Sequence, residues 1–469
     1  MSESDHLISE LDEEIELVSA RRCILDLIIL ISGFFLVFTA FNSIQNLESS
    51  LNSDQKDVIS LGNTCLFVLY GVFSLTCLIA PRIVNVLGPK RSIICGFMTF
   101  CLFVATNYGI GSGSDINDNT LKWLGSIFAS IIVGVGAPIM WTSQGRYLTD
   151  LSVTYAEIKL LPEGSMLGTF NGMFYGIFQG TQIVGNLISS LILDKESKTP
   201  SNTLPIVYLC CVIFGTISAF FLRKLPNRAQ LRPVNGPNTT IEFIDLPIRK
   251  TGTFELFLTL KMFLLVPIFI NTGIVTGFIF NDFTSAVVQP SLGSDNIGFV
   301  MATFGLSNAL SSIITGKISD KRVLGFTTMR IGIVIIGLLT EIVICIFLMV
   351  HYSNLHFSAY QVYLCAVTLG FVDAINNTIL CALIGALFPY ELEPAFSNYK
   401  LWQSVGFTIV TGLSVFQLNP DVDFSFLIKL IIVMSWNVLS LTVFIISAHL
   451  NAPRRIPNIN LNTIGGEDL

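Results

Sequence analysis

Two clusters of polar side chains lie inside otherwise apolar sequence, and their spacing suggests chemistry. Asn171, Tyr175, Gln179, Gln182 and Asn186 recur three or four residues apart, which confines them to one arc of a helix. Asp373, Asn376 and Asn377 fall at i, i+3 and i+4, one face of a second helix. Trp141 and Gln144, with Thr142 between them, sit at the end of a third apolar stretch, next to Arg146. Amides, a phenol, an indole and one carboxylate can bind a small polar or organic solute, and the carboxylate can carry a proton. The bland alternative is that the amides only join neighbouring helices. We find no nucleotide loop, no metal-spaced His/Cys cluster, no nucleophile elbow and no Ser/His/Asp arrangement. The Gly111-Ser-Gly-Ser run has no lysine or phosphate-binding helix pattern after it. The expectation is a non-enzyme with no catalytic residue, metal or cofactor.

The elements that carry these groups are membrane helices. Of 469 residues, 52% are hydrophobic and only 12% charged, and the mean hydropathy is +0.70. Soluble domains carry about 25% charged residues; a charge deficit suits a chain embedded in the lipid bilayer. The net charge of −6 argues against a nucleic-acid partner. The ten cysteines fall inside apolar segments, which argues against a disulfide framework. A spanning helix takes about 20 mostly apolar residues. Twelve such segments are expected, at 24–41, 61–80, 92–109, 121–141, 167–193, 204–222, 255–281, 296–315, 329–350, 360–388, 397–416 and 425–448.

Lys and Arg orient them. With both termini cytoplasmic, the inner segments carry twenty of these residues, Arg146, Arg330 and Lys400 among them, against five in the outer loops. Lys261, near the inner end of the seventh span, can snorkel. The sequon at Asn238 then faces the cytoplasm and that at Asn376 lies inside a helix, so neither carries a glycan. Asp26 reads as an interfacial acid near Arg21 and Arg22. Glu341, midway along the ninth span, calls for a structural partner.

The longest polar interruption divides the spans six and six. The expected organisation is an acidic tail (1–23), a six-helix half (24–222), a basic cytoplasmic linker (223–254), a second six-helix half (255–449) and a tail (450–469). Each half carries a degenerate copy of a loop pattern G-x-x-x-D-[RK]-x-G-x-[RK]. The first has Asn85, Gly88 and Lys90; the second has Gly316, Asp320 and Lys321. In such a loop the acid can sit near a helix N-terminus. Asn85, standing where the pattern has Asp, weakens any ionic latch in the first half. Two six-helix halves with this motif resemble the major facilitator superfamily, an all-α polytopic fold.

Gly168, Gly172, Gly176 and Gly180 form a stripe beside the first polar cluster, letting another backbone approach closely. Gly298, Ala302, Gly305, Ala309, Ser312 and Gly316 form a matching stripe on the eighth span. The resembled fold packs the fifth and eighth spans across the interface between halves. The polar arc would then look into a central cavity lined by the three clusters above.

Longer stretches are similar to the uncoordinated-protein-93 family. They are Asn46-Leu-Glu-Ser-Ser-Leu-Asn52, the run from Gly136 to Thr149 around Trp141 and Gln144, and Asn171 to Gln179 with Gln182 and Asn186. In the second half they are Leu369 to Ala374, Asn377-Thr378, Pro394 to Phe396 and Trp402-Gln403-Ser404. The matches run from the first to the eleventh span and look closest to a broadly distributed, uncharacterised facilitator-like branch. Ile379 and Arg146 depart from the family pattern. The resemblance implies the facilitator fold. Known members include a regulatory subunit of a potassium channel and an escort of receptors to endosomes, and many others are called transporters. Two readings therefore stay open: a regulatory or escort subunit for another multi-span membrane protein (a channel or receptor), or a secondary transporter of a small solute by alternating access. Glu3, Leu7 and Ile8 fit an acidic dileucine sorting signal, or simply belong to an acidic tail. The expected location is the plasma membrane or the endosome and lysosome.

Overall fold

The computed structural model describes residues 3–51, 61–111, 119–185, 203–225, 232–234, 242–244, 251–293, 296–321, 323, 325–352, 357–415 and 422–450. Helix occupies the described part of every apolar segment expected from the sequence. The first half comprises α1 (Glu3–Leu51), α2 (Leu61–Cys77), α3 (Ala80–Leu87), α4 (Pro89–Gly111), α5 (Asn119–Ile158), α6 (Leu167–Phe178) and α7 (Thr203–Ala219). The second comprises α8 (Thr253–Phe257), α9 (Leu260–Phe263), α10 (Val266–Gly277), a π-helical stretch Phe278–Val288, α11 (Gln289–Leu292), α12 (Ile297–Ser319) and α13 (Phe326–Tyr352). It continues through α14 (Ala359–Ala374), a second π-helical stretch Ile375–Ile379, α15 (Leu380–Leu387), α16 (Leu392–Val415) and α17 (Val422–Leu450).

Among the described residues, seven helices are long and apolar enough to cross a membrane. The count is eight if α2 and α3, bent by 66° at a two-residue break, form one span, and Ile206–Ala219 is a shorter apolar helix. The bend has a local cause: Pro81 sits in the first turn of α3, where a missing N–H costs nothing. Gly88 ends α3 at φ +79°, a backbone conformation that glycine adopts without a steric penalty. Ser358 and Gln361 cap α14 reciprocally, with Ser358 N donating to Gln361 Oε1 at 2.9 Å. Between the halves lies an element not foreseen from sequence, a short antiparallel ribbon of β1 (Arg232–Val234) and β2 (Glu242–Ile244). Asn238 and Asn186 lie outside the described residues. Glu3, Leu7 and Ile8 lie on the leading turns of α1, so that helix begins well before the span expected at 24–41; their side chains lie outside the described set.

The halves meet through two antiparallel helix pairs. The α6 glycines sit against α12: a Cβ on Gly172 would come within 2.6 Å of the Ser312 carbonyl oxygen and 3.2 Å of Gly316 Cα. Gly176 faces Ile313 in the same way. Gly180, the last of the stripe, instead faces Phe35 of its own half, because the helix breaks at Gln179–Gly180. In the second pair, α2 against α16, the Ser74 and Ser404 hydroxyls stand 2.7 Å apart and the Tyr70 and Phe407 ring centroids 4.1 Å apart. One apolar core runs through the first half and continues into Ile375, Leu380, Phe396 and Tyr399 of the second. A separate core fills the opposite end of the second half. The halves are therefore closed against each other at one end.

Candidate functional site

At the closed end the contacts are ionic. Asp320, following α12, accepts from the Gly168 and Thr169 amides at 3.0 and 2.6 Å, at the N-terminus of α6, where free N–H groups favour an anion. Arg330, fully buried, donates to Asp320 at 2.7 Å and to the Gly164 carbonyl at 2.7 Å. In the equivalent loop of the first half, Asn85 makes no comparable bond among the described residues. Arg146 of α5 pairs with Glu393 of α16 and lies 3.4 Å from Asp150. Gly88 provides the turn and Lys90 donates to the Phe220 carbonyl at 2.7 Å. Gly316 abuts Gly172, and Lys321 stands exposed.

Above the closure lies a cavity of about 290 Å³. The first half contributes a mostly aromatic wall that includes Phe38, Phe41, Phe100, Trp141 and Phe178. Polar groups arrive from both halves, with Tyr175, Gln179 and Gln182 facing Asn281, Asp373, Asn377, Lys400 and Gln403. Asp373 Oδ2 accepts from Asn308 Nδ2 at 2.6 Å and Gln179 Nε2 at 3.4 Å. Tyr175 lies 3.4 Å from Cys381 Sγ. Lys400 Nζ donates to Gln403 Oε1 at 2.8 Å and stands 4.7 Å from the centroids of both Trp141 and Tyr399.

Of the expected lining residues, Trp141, Tyr175, Gln179, Gln182, Asp373 and Asn377 are on the cavity wall. Three described ones are not. Asn171 and Gln144 lie lower, where the halves are already in contact: Asn171 Nδ2 turns back onto the Leu167 carbonyl at 2.8 Å, and Gln144 is buried beside Gly145, which packs on Phe396. Asn376 leaves the face it was expected to share with Asp373. The chain there is π-helical, and a π turn takes more residues than an α turn. Asn377 at i+4 stays aligned with Asp373 while Asn376 at i+3 rotates away; the Asn376 carbonyl accepts from Tyr399 at 3.0 Å.

Several charges are not where the sequence suggested. Lys400, counted with the inner cations at the edge of the span expected at 397–416, lies deeper, because α16 starts at Leu392 and carries it into the bundle. Arg146 is not at the end of a span, since α5 runs on to Ile158. Asp26 is fully buried, paired with Arg22 at 3.3 Å and with Arg223 at 3.0 Å. Glu341, by contrast, has the structural partner expected of it: Asn271 Nδ2, at 3.2 and 2.9 Å from its two oxygens. The i, i+4 spacing of Arg146 to Asp150 and of Arg22 to Asp26 was a usable signal. Nothing local marked Glu393 or Arg223 as the distant partners.

The model of the family described as "Ion channel regulatory protein UNC-93" matches residues 59–450. The chain belongs to the UNC-93 family. It is 31% identical to "UNC93-like protein 3" of Arabidopsis thaliana over 90% of this chain and 88% of that protein. It is 28% identical to the "Putative potassium channel regulatory protein unc-93" of Caenorhabditis elegans, over 83% of this chain and 57% of that protein. Its fold is similar to that of the major facilitator superfamily proton:xylose symporter XylE, with TM-score 0.69 and 13% identity over 93% of this chain and 97% of that one. This UNC-93 chain is thus an integral membrane protein with the facilitator fold, whose halves close through Asp320 on one side and Arg146 with Glu393 on the other.

Proposed function

We propose that the chain is a regulatory or escort subunit, acting by helix packing against an ion channel, a potassium channel in the first instance, or against a membrane receptor. The observation that carries this is the likeness across most of the chain to the nematode protein named as a putative potassium channel regulator. The closed end supports it: the buried Arg146–Glu393 pair and the bonds of Asp320 and Arg330 to Gly168, Thr169 and Gly164 join the halves, as suits a subunit that presents a fixed surface. The reading assigns no catalysis and no cofactor. It puts both termini in the cytoplasm, with 1–23 and 450–469 as tails and 223–254 as the linker between halves 24–222 and 255–449. Glu3, Leu7 and Ile8 would direct the complex between the plasma membrane and the endosome or lysosome.

The test is co-expression with a two-pore-domain potassium channel, reading whole-cell potassium current and recovery of the channel after crosslinking in native membranes. The expected result is a changed current together with a crosslinked complex. Recovery of the monomer alone, with unchanged current, across the channels and receptors of the source membrane would overturn it.

A further inference from the structure

Lys400 is only 7% exposed, lies on the wall of the central cavity, and among the described residues forms no ion pair. Its close neighbours are neutral. An ammonium carries three N–H donors, and one goes to Gln403 Oε1. The Trp141 and Tyr399 rings, each with its centroid 4.7 Å away, attract a cation through their faces but accept no strong hydrogen bond. Asp373 shares the cavity, yet its carboxylate is already engaged by Asn308 and Gln179. A buried charge without a close counter-ion is costly, and here a cation that Asp373 compensates only at longer range borders open space.

We propose that the cavity binds a compact organic monocarboxylate whose carboxylate pairs with Lys400 and whose apolar, preferably aromatic, body lies against Phe38, Phe41, Phe100 and Phe178. Shape and sign both enter this choice. The volume of about 290 Å³ is at the lower end for small-molecule pockets, which suits one ring and a short arm. The lining next to Lys400 is aromatic, since Lys400 stands over Trp141, which packs on Phe38 and Phe178, so a bare inorganic anion would leave it uncovered. The neutral amides Gln179, Gln182, Asn377 and Gln403 can orient the carboxylate without repelling it. This binding requires no channel or receptor partner, so it is independent of the regulatory role proposed above.

The experiment uses the full chain purified in detergent, with 3-phenylpropanoate and its isosteres 3-phenylpropanamide and 3-phenylpropylamine as probes in thermal unfolding. The carboxylate is expected to raise the melting temperature saturably, and the amide and amine to act at least tenfold more weakly. Lys400→Met should abolish the response, while Lys400→Arg should keep it within about tenfold, since a guanidinium also pairs with a carboxylate. Equal response to all three probes would overturn the proposal, as would preference for the amine, which would make Asp373 the anchor. So would stabilisation by acetate equal to that by 3-phenylpropanoate, which removes the role of the aromatic wall, or no response to any arylalkanoate. The isostere comparison uses the unaltered chain, so it decides the matter even if Lys400→Met fails to fold.

Discussion

Gly172 offers the sharpest test of how the halves are joined. A methyl group there would sit 2.6 Å from the Ser312 carbonyl oxygen, against an ordinary contact of 3.4 Å or more. The difference means α6 and α12 must separate by about 0.8 Å at that level. The obstacle is backbone, so no rotamer change and no truncation at Ser312 relieves it. Overpacking a tight interface costs about 1–3 kcal/mol. A further loss follows one turn away, where the Asp320 bonds to Gly168 N and Thr169 N, at 3.0 and 2.6 Å, cannot both survive such a displacement. A hydrogen bond to a charged group is worth about 1.5–3 kcal/mol, so the total for Gly172→Ala is about 2.5–6 kcal/mol. The control is Gly298→Ala on the partner stripe, where an added Cβ meets nothing within 4 Å; replacing a helical glycine there should stabilise by up to about 1 kcal/mol. Thermal unfolding of both proteins in the same detergent, followed by tryptophan fluorescence, gives the comparison. If Gly172→Ala melts no lower than Gly298→Ala, the close approach of α6 and α12 is wrong.

Arg146→Met should be more damaging than Glu393→Leu, because it takes the cation from both Glu393 and Asp150, whereas Glu393→Leu leaves Arg146 beside Asp150. Breaking a buried pair costs about 3–5 kcal/mol, and the reverse order in urea or thermal unfolding would refute the assignment. Asp320→Ala should destabilise by a similar amount, since it strips Arg330 of its carboxylate and the α6 N-terminus of its acceptor; a surface-expression level equal to that of the unaltered chain would contradict this. Asp373→Asn should cost little, because an amide oxygen can still accept from Asn308. Asp373→Leu should cost about 1–3 kcal/mol by leaving that donor unsatisfied, and indistinguishable melting of the two variants would refute the structural role.

What could be read from the sequence was whatever repeats along one helix. The period of three to four residues put Tyr175, Gln179 and Gln182 on one arc, and the structure has all three on the cavity wall. The same period marked the α6 glycines and the small residues of α12 as two stripes; that they pack together was implied by the resembled fold, and the structure joins them at Gly168, Gly172 and Gly176. What could not be read depends on where a helix begins or how its turn changes. Hydropathy excludes Glu393 from the span expected at 397–416, yet α16 starts earlier than its apolar run, and Asn398 Nδ2, near that edge, bonds the Pro394 and Thr253 carbonyls, both at 2.8 Å. The π turn at Ile375–Ile379 has no hydropathy signature, and it separates Asn376 from Asp373.

The two halves solve the same closure problem with different chemistry, and the loop motif explains why. Where the second copy keeps its acid, Asp320 reaches the N-terminus of α6 directly and Arg330 neutralises it. Where the first copy has Asn85, a neutral side chain gains much less from a helix N-terminus. On that side the charge comes from Arg146, and its partner Glu393 sits in the first turn of α16, where a carboxylate also favours the helix dipole. The helix that carries Asn85, α3, packs on both α5 and α16, the two helices that this ion pair joins. Asn85→Asp would add a carboxylate to α3, which packs on the helices of Asp150 and Glu393, so it should lower the melting temperature in detergent; a higher melting temperature would refute this.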